Sequence, residues 1–169
     1  GILGGTEPLH WRGDREDLDA FNPAFVGLLG DDVELSDEEM AAFTEMVRSL
    51  TPAPNPFRNF DSTLPTTSAN GGNPSRGQQL FRTANLDGPF NCIDCHSIET
   101  GTDPFVTSAI LDQTTQSINS PHLLNTYDKA SYDRASMDNN SGFGFIHDGT
   151  FESLFSFFNI PAFTFNSDQ

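Results

Sequence analysis

The chain has 169 residues, of which 36% are hydrophobic, and a formal net charge of −16, with Lys129 as its only lysine. That length suits one ordinary domain, or one domain with part of another, and the apolar content is enough for a core. Wholesale disorder is therefore not expected, and nucleic-acid binding through a basic patch is excluded because it needs clustered Lys and Arg. The same acidity disfavours anionic membrane surfaces and suits salty or extracellular surroundings. No apolar run approaches the roughly 18 residues of a membrane span, so no membrane insertion is expected. The chain starts at Gly1 with no initiator Met and no basic-then-apolar leader, as expected of a processed chain or a fragment.

Residues 1–13, "GILGGTEPLHWRG", are turn-rich. A short amphipathic helix is expected near Asp14–Phe21, with Leu18 and Phe21 on one face. The clearest helix is "SDEEMAAFTEMVRSL" at 36–50. Ser36 and Glu39 form a capping box at its start, Met40, Phe43, Val47 and Leu50 make one stripe, and Pro52 ends it. Residues 51–75 hold five of the eleven prolines among many Ser, Thr, Asn and Gly, which reads as a linker or wrapped extended segment. A helix resumes at 74–84 with Pro74 in its first turn and Leu80 and Phe81 inward. Ser120-Pro121 opens another, to about 127. In "FESLFSFFN" at 151–159, Phe151, Leu154, Phe155 and Phe158 recur at helical spacing, so a buried helix is expected there. Short strand possibilities lie near Phe105–Ile110. The expected class is all-α with long loops.

An internal repeat bears on the organisation. His10-Trp11-Arg12-Gly13, Leu18 and "FNPAF" (21–25) near the start match His147-Asp148-Gly149, Leu154 and "FNIPAF" (158–163) near the end. Gly-to-Leu spacing is five in both copies, and His10 pairs with His147. The second copy stops where the first begins its capped helix. The expected layout is therefore the rear part of a first module over 1–50, a Pro/Ser/Thr/Asn-rich linker over 51–73, and a second module over 74–169 that lacks its last helix.

The chain's two cysteines, Cys92 and Cys95, stand three apart with His96 directly after the second. Cys-x-x-Cys-His is the pattern of c-type haem attachment, in which both thiols add to the haem vinyl groups and the adjacent imidazole becomes the proximal iron ligand. Three other uses weigh less. Zinc needs further ligands, and His10, His122 and His147 show no paired spacing. A redox dithiol wants a βαβ context. A plain disulfide leaves His96 unexplained.

"GQQLFRTANLDGPFNCIDCH" resembles the first helix and haem-binding segment of cytochrome c domains. "SPHLLNTY" (120–127) and "FGFIHDGTFESLFSFF" (143–158) resemble the carboxy-terminal module of bacterial di-haem cytochrome c peroxidases and their methylamine-utilisation relatives. Pro121, Leu123, Asn125, His147 and Gly149 carry that resemblance. "PLHWRGDREDLDAFNPAFVGLLG" resembles part of a preceding module in large secreted relatives. The resemblance implies a cytochrome c-like helical domain with one covalent haem c, anchored by Cys92 and Cys95, ligated by His96 and packed by Phe81, Phe90 and part of the Phe143–Phe158 cluster. It also implies export to the periplasm or outside the cell. The chain departs from the family at Leu124, where Arg is usual, and at Pro161, where many relatives place an axial methionine.

The sixth iron ligand is thus left open, with Met137 and His147 as distal candidates, although a turn or haem-edge role suits His147 better. Peroxide chemistry needs a distal acid–base group, and from Gly77 onward the glutamates are Glu99 and Glu152, neither of them well placed by sequence. Electron transfer is favoured over a peroxidase-like enzyme with an open sixth site. A structural or assembly subunit of a multi-haem complex is the third reading. The partners expected are a redox protein and other haem modules, with oligomerisation open. Calcium at Asp133–Asn140 is a weak possibility without a D-x-D-x-D-G loop.

Overall fold

The computed structural model describes residues 5–68, 71–103, 106–108, 116–146 and 148–165. Its elements in chain order are α1 (Pro23–Gly27), α2 (Asp37–Ser49), α3 (Pro74–Thr83), α4 (Cys92–Cys95), β1 (Val106–Thr107), β2 (Ile118–Asn119) and α5 (Leu154–Phe158). Single 3-10 turns lie at Asp19–Phe21 and Thr126–Lys129. The long helices begin where polar side chains satisfy free backbone donors. At α2 the Glu39 N–H donates to Ser36 Oγ (3.4 Å), and the Ser36 N–H donates to Glu39 Oε2 (2.9 Å). The Arg76 N–H donates to Asn73 Oδ1 (2.9 Å) at α3, whose first residue is Pro74. Ser153 and Ser156 cap α5 in the same reciprocal way.

The described structure is only 30% helix and 6% strand, with the remainder mostly loop. The expected all-α, cytochrome c-like helical class is therefore corrected, although the chain falls plainly into no other class. Helices expected from periodicity are shortened because other hydrogen bonds take their backbone groups. Arg15 is drawn into a hairpin with Leu9, so the helix expected over Asp14–Phe21 shrinks to the 3-10 turn, and α1 starts only where Pro23 can stand at its first position. Phe151 pairs with Phe145, which delays α5 to Leu154. Asn119 is in a strand, the Ser120 carbonyl accepts from Thr102, and the Pro121 carbonyl accepts from His96, so no helix opens at Ser120-Pro121. The residue before a proline also resists helical backbone angles. β1 falls within the stretch where strands were expected, while 104–105 and 109–110 lie outside the described residues.

The chain forms two compact units, each built from two stretches. The first comprises Gly1–Pro52 and His96–His122. In it Met40 on α2 and Leu9 are buried, and Phe25 of α1 meets Phe43 of α2 edge to face at 5.6 Å. β1 and β2 pair antiparallel, with Val106 opposite Asn119. The Asn119 N–H then donates to the Trp11 carbonyl (2.7 Å), and its side-chain amide donates to the Pro8 carbonyl.

The second unit comprises Ala53–Cys95 and Leu123–Gln169. Leu86 and Phe145 are buried in it, and Phe157 and Phe158 meet Phe163 at 5.0 and 5.4 Å in a partly exposed aromatic cluster. The Thr164 N–H donates to the Leu86 carbonyl (2.8 Å) and ties the α3–α4 connection to that cluster. Between 51 and 73 the described residues form turns and no regular element.

Both units contain the same small hairpin. In the first, Leu9 and Arg15 exchange backbone hydrogen bonds and the Gly13 N–H donates to the His10 carbonyl. In the second, Phe145 and Phe151 do the same and the Gly149 N–H donates to the Ile146 carbonyl. His10 and Ile146 both take left-handed backbone angles (φ 67 and 59), as do Gly13 and Gly149 (φ 62 and 70). This register sets His10 against Ile146, while His147 lies outside the described residues. Among the described residues, no helix is long and apolar enough to cross a membrane.

Candidate cofactor-attachment site

The Cys-x-x-Cys turn is prepared by the residues before it. Asp87 and Phe90 close a turn through mutual backbone bonds, with Gly88 in the left-handed region (φ 59). Asn91 then stands just before α4. Its N–H donates to Asp94 Oδ2 (2.8 Å), and the Asp94 N–H donates to the Asn91 carbonyl (3.1 Å). One helical turn thus carries Cys92 and Cys95, both half-buried thiols, and packs against α3. Phe81, on the last turn of α3, is half-buried, and Phe90 is 43% exposed.

Burial pushes the Cys92 thiol up, and the Asp87 and Asp94 carboxylates add to the rise. A raised thiol is a poor nucleophile at neutral pH, whereas redox and nucleophilic cysteines have depressed values in electropositive surroundings. The local charge therefore argues against a redox dithiol. Among the described residues, no group of three or more His, Cys, Asp or Glu is arranged to hold a metal ion.

The division between the units falls at the Cys95–His96 peptide bond, and His96 is held within the first unit. Its half-buried ring places Nδ1 3.1 Å from the Pro121 carbonyl oxygen. A carbonyl can only accept, so Nδ1 carries the proton and the lone pair of the neutral ring sits on Nε2. Burial pushes the His96 pKa down, against hydrogen bonding at the Gly101 and Pro121 backbone and the Asp103 carboxylate, which favours the neutral ring. Thr102 supports this arrangement. Its buried hydroxyl spans the carbonyls of Ser120 and Asp103, the latter at 3.1 Å, and fixes the chain just before Pro121.

Two thiols one turn apart and a neutral imidazole oriented by a backbone carbonyl fit the requirements of covalent haem attachment. In such attachment the thiols would bond to the porphyrin periphery and the imidazole to the iron.

The other sequence candidates fall in varied places. Met137 is 99% exposed on a bend of the second unit. Met40 is core, Met46 is half exposed, and His147 lies outside the described residues. Phe143 is half exposed beneath the Lys129 ammonium (5.7 Å), and Phe155 is largely exposed. Glu152 accepts the Arg134 N–H (3.1 Å), a role in holding the loop. In the 133–140 stretch, Asp133 accepts the Ala135 N–H (2.9 Å), so that carboxylate caps its own backbone.

Sequence reasoning missed Asp94, Thr102 and the role of Pro121. The first two carry no periodic or motif signal, and Pro121 was marked only by family resemblance. No protein-family model, curated protein or solved structure matches the chain.

Proposed function

We propose that this chain is a c-type cytochrome that carries one covalent haem and transfers electrons in the periplasm or outside the cell. Cys92 and Cys95 are the thioether anchors, and His96 is the proximal ligand through Nε2. Bound haem supplies a one-electron iron couple. The chain's own residues hold and tune it. Pro121 fixes the tautomer and orientation of His96 through its carbonyl, and a ligand oriented in this way is more basic toward a metal. Phe81 and Phe90 offer apolar surface near the anchors, and α4 sets the spacing of the sulfurs.

The single observation that carries this reading is the His96 Nδ1–H bond to the Pro121 carbonyl, directly after a helical turn bearing two thiols. The resemblance at C-x-x-C-H supports it. Absorption spectra of the exported, haem-loaded protein test it. A low-spin ferric spectrum that cyanide and peroxide leave unchanged is expected. A high-spin spectrum that shifts with either ligand contradicts electron transfer as the role and favours peroxidase-like chemistry.

A further inference from the structure

We propose that the loop between α1 and α2 is a docking surface for a basic protein, one that presents an apolar recess rimmed by Lys or Arg. The loop is built to hold apolar side chains in water. Leu28 is 84% exposed, Leu29 72% and Val33 70%. Isolated exposed hydrophobics are ordinary, but these three lie within one short loop, at Leu28, Leu29 and Val33.

The loop is also fixed in place. At its neck the Asn22 side chain makes two bonds to one residue. Nδ2 donates to the Leu35 carbonyl (2.7 Å), and the Leu35 N–H donates to Oδ1 (2.9 Å). At its tip Gly30 turns the chain in the left-handed region (φ 85), and the Asp31 N–H donates back to the Phe25 carbonyl (2.9 Å). A surface ordered before binding loses less entropy on docking.

Charge selects the occupant. Between Arg15 and Arg48 the sequence has no Lys, Arg or His. Asp31, Asp32 and Glu34 are exposed on the loop itself. A groove of about 420 Å³ runs beside the neck, lined by Asp19, Glu34 and Asp37 together with Asn22. A second copy of this chain meets like charge here, and anionic membranes and nucleic acids are repelled in the same way. A basic protein gains both burial of the leucines and charge complementarity. This inference does not depend on haem.

Calorimetry with the full chain tests it, using as probes an amphipathic leucine–lysine peptide and a control in which serine replaces each leucine at equal charge. The leucine–lysine peptide is expected to bind at least about tenfold tighter than the control, and salt is expected to weaken both. The double variant Leu28→Ser, Leu29→Ser is expected to lose the preference while keeping its circular dichroism, since both side chains are exposed. Equal affinity for the two peptides overturns the proposal, and so does a double variant that keeps the preference. Sedimentation showing that the wild type self-associates and the double variant does not also overturns it, because the occupant is then a second copy.

Discussion

His96 Nδ1 lies 3.1 Å from the carbonyl oxygen of Pro121, so a backbone atom orients the one imidazole next to the two thiols. No side chain at position 121 makes that bond. It depends on where the chain runs, and Thr102 holds that course from the buried carbonyl of Ser120. Thr102→Val keeps the shape and removes the hydroxyl. Leaving a buried carbonyl without its donor costs about 1–3 kcal/mol. Chemical denaturation of the variant is expected to show a loss in that range. A change below about 0.5 kcal/mol contradicts the clamp.

The thiols give a pH-dependent prediction. Burial raises the Cys92 pKa, with Asp87 and Asp94 adding to it, and only the thiolate alkylates. In the haem-free chain, iodoacetamide is expected to modify Cys92 more slowly than free cysteine at about pH 8. The rate should keep rising as pH passes above the ordinary thiol range near 8.5. Faster alkylation than free cysteine indicates a depressed thiol and favours a redox dithiol.

Glycine matters at one corner of the second hairpin and much less at the tip of the α1–α2 loop. A Cβ on Gly149 falls 2.2 Å from the Phe143 carbonyl oxygen, and the backbone is left-handed there (φ 70). Gly30 is also left-handed (φ 85), yet a Cβ there meets nothing within 4 Å. Gly149→Ala is expected to cost at least about 2 kcal/mol, because backbone strain adds to a collision with a backbone atom. Gly30→Ala is expected to cost about 1 kcal/mol. Equal losses in thermal or chemical denaturation contradict the close approach.

Met137 stands in solvent, so its removal leaves no cavity. Met137→Ala is expected to hold stability within about 0.5 kcal/mol. The ferric spectrum of the haem-loaded variant should match the wild type. Loss of a methionine-to-iron charge-transfer band in this variant identifies Met137 as the sixth ligand instead.

The parts of the fold legible in the sequence are those set by local chemistry. The α2 cap is written in Ser36 and Glu39, and the α3 start in Asn73 and Pro74, because each bond lies within one turn. The helices expected at 14–21 and 120–127 followed apolar spacing alone. Their backbone groups are taken by other partners, Leu9 for Arg15, Thr102 for Ser120 and His96 for Pro121, and periodicity does not register these. The repeat was legible as matching words, while its register was not. Hydrogen bonds align His10 with Ile146, a pairing that matching histidine to histidine does not pick out. At the candidate site, Cys92, Cys95 and His96 were legible as a spacing. The orientation of His96 and the raised thiol of Cys92 depend on tertiary neighbours.

Intact mass of the chain, exported in a host that attaches haem c, tests the central claim most directly. The expected result is the polypeptide mass increased by one haem, with neither thiol reactive toward an alkylating reagent and a haem absorption spectrum that survives denaturation. The bare polypeptide mass, with both Cys92 and Cys95 alkylated and no haem absorption, contradicts it.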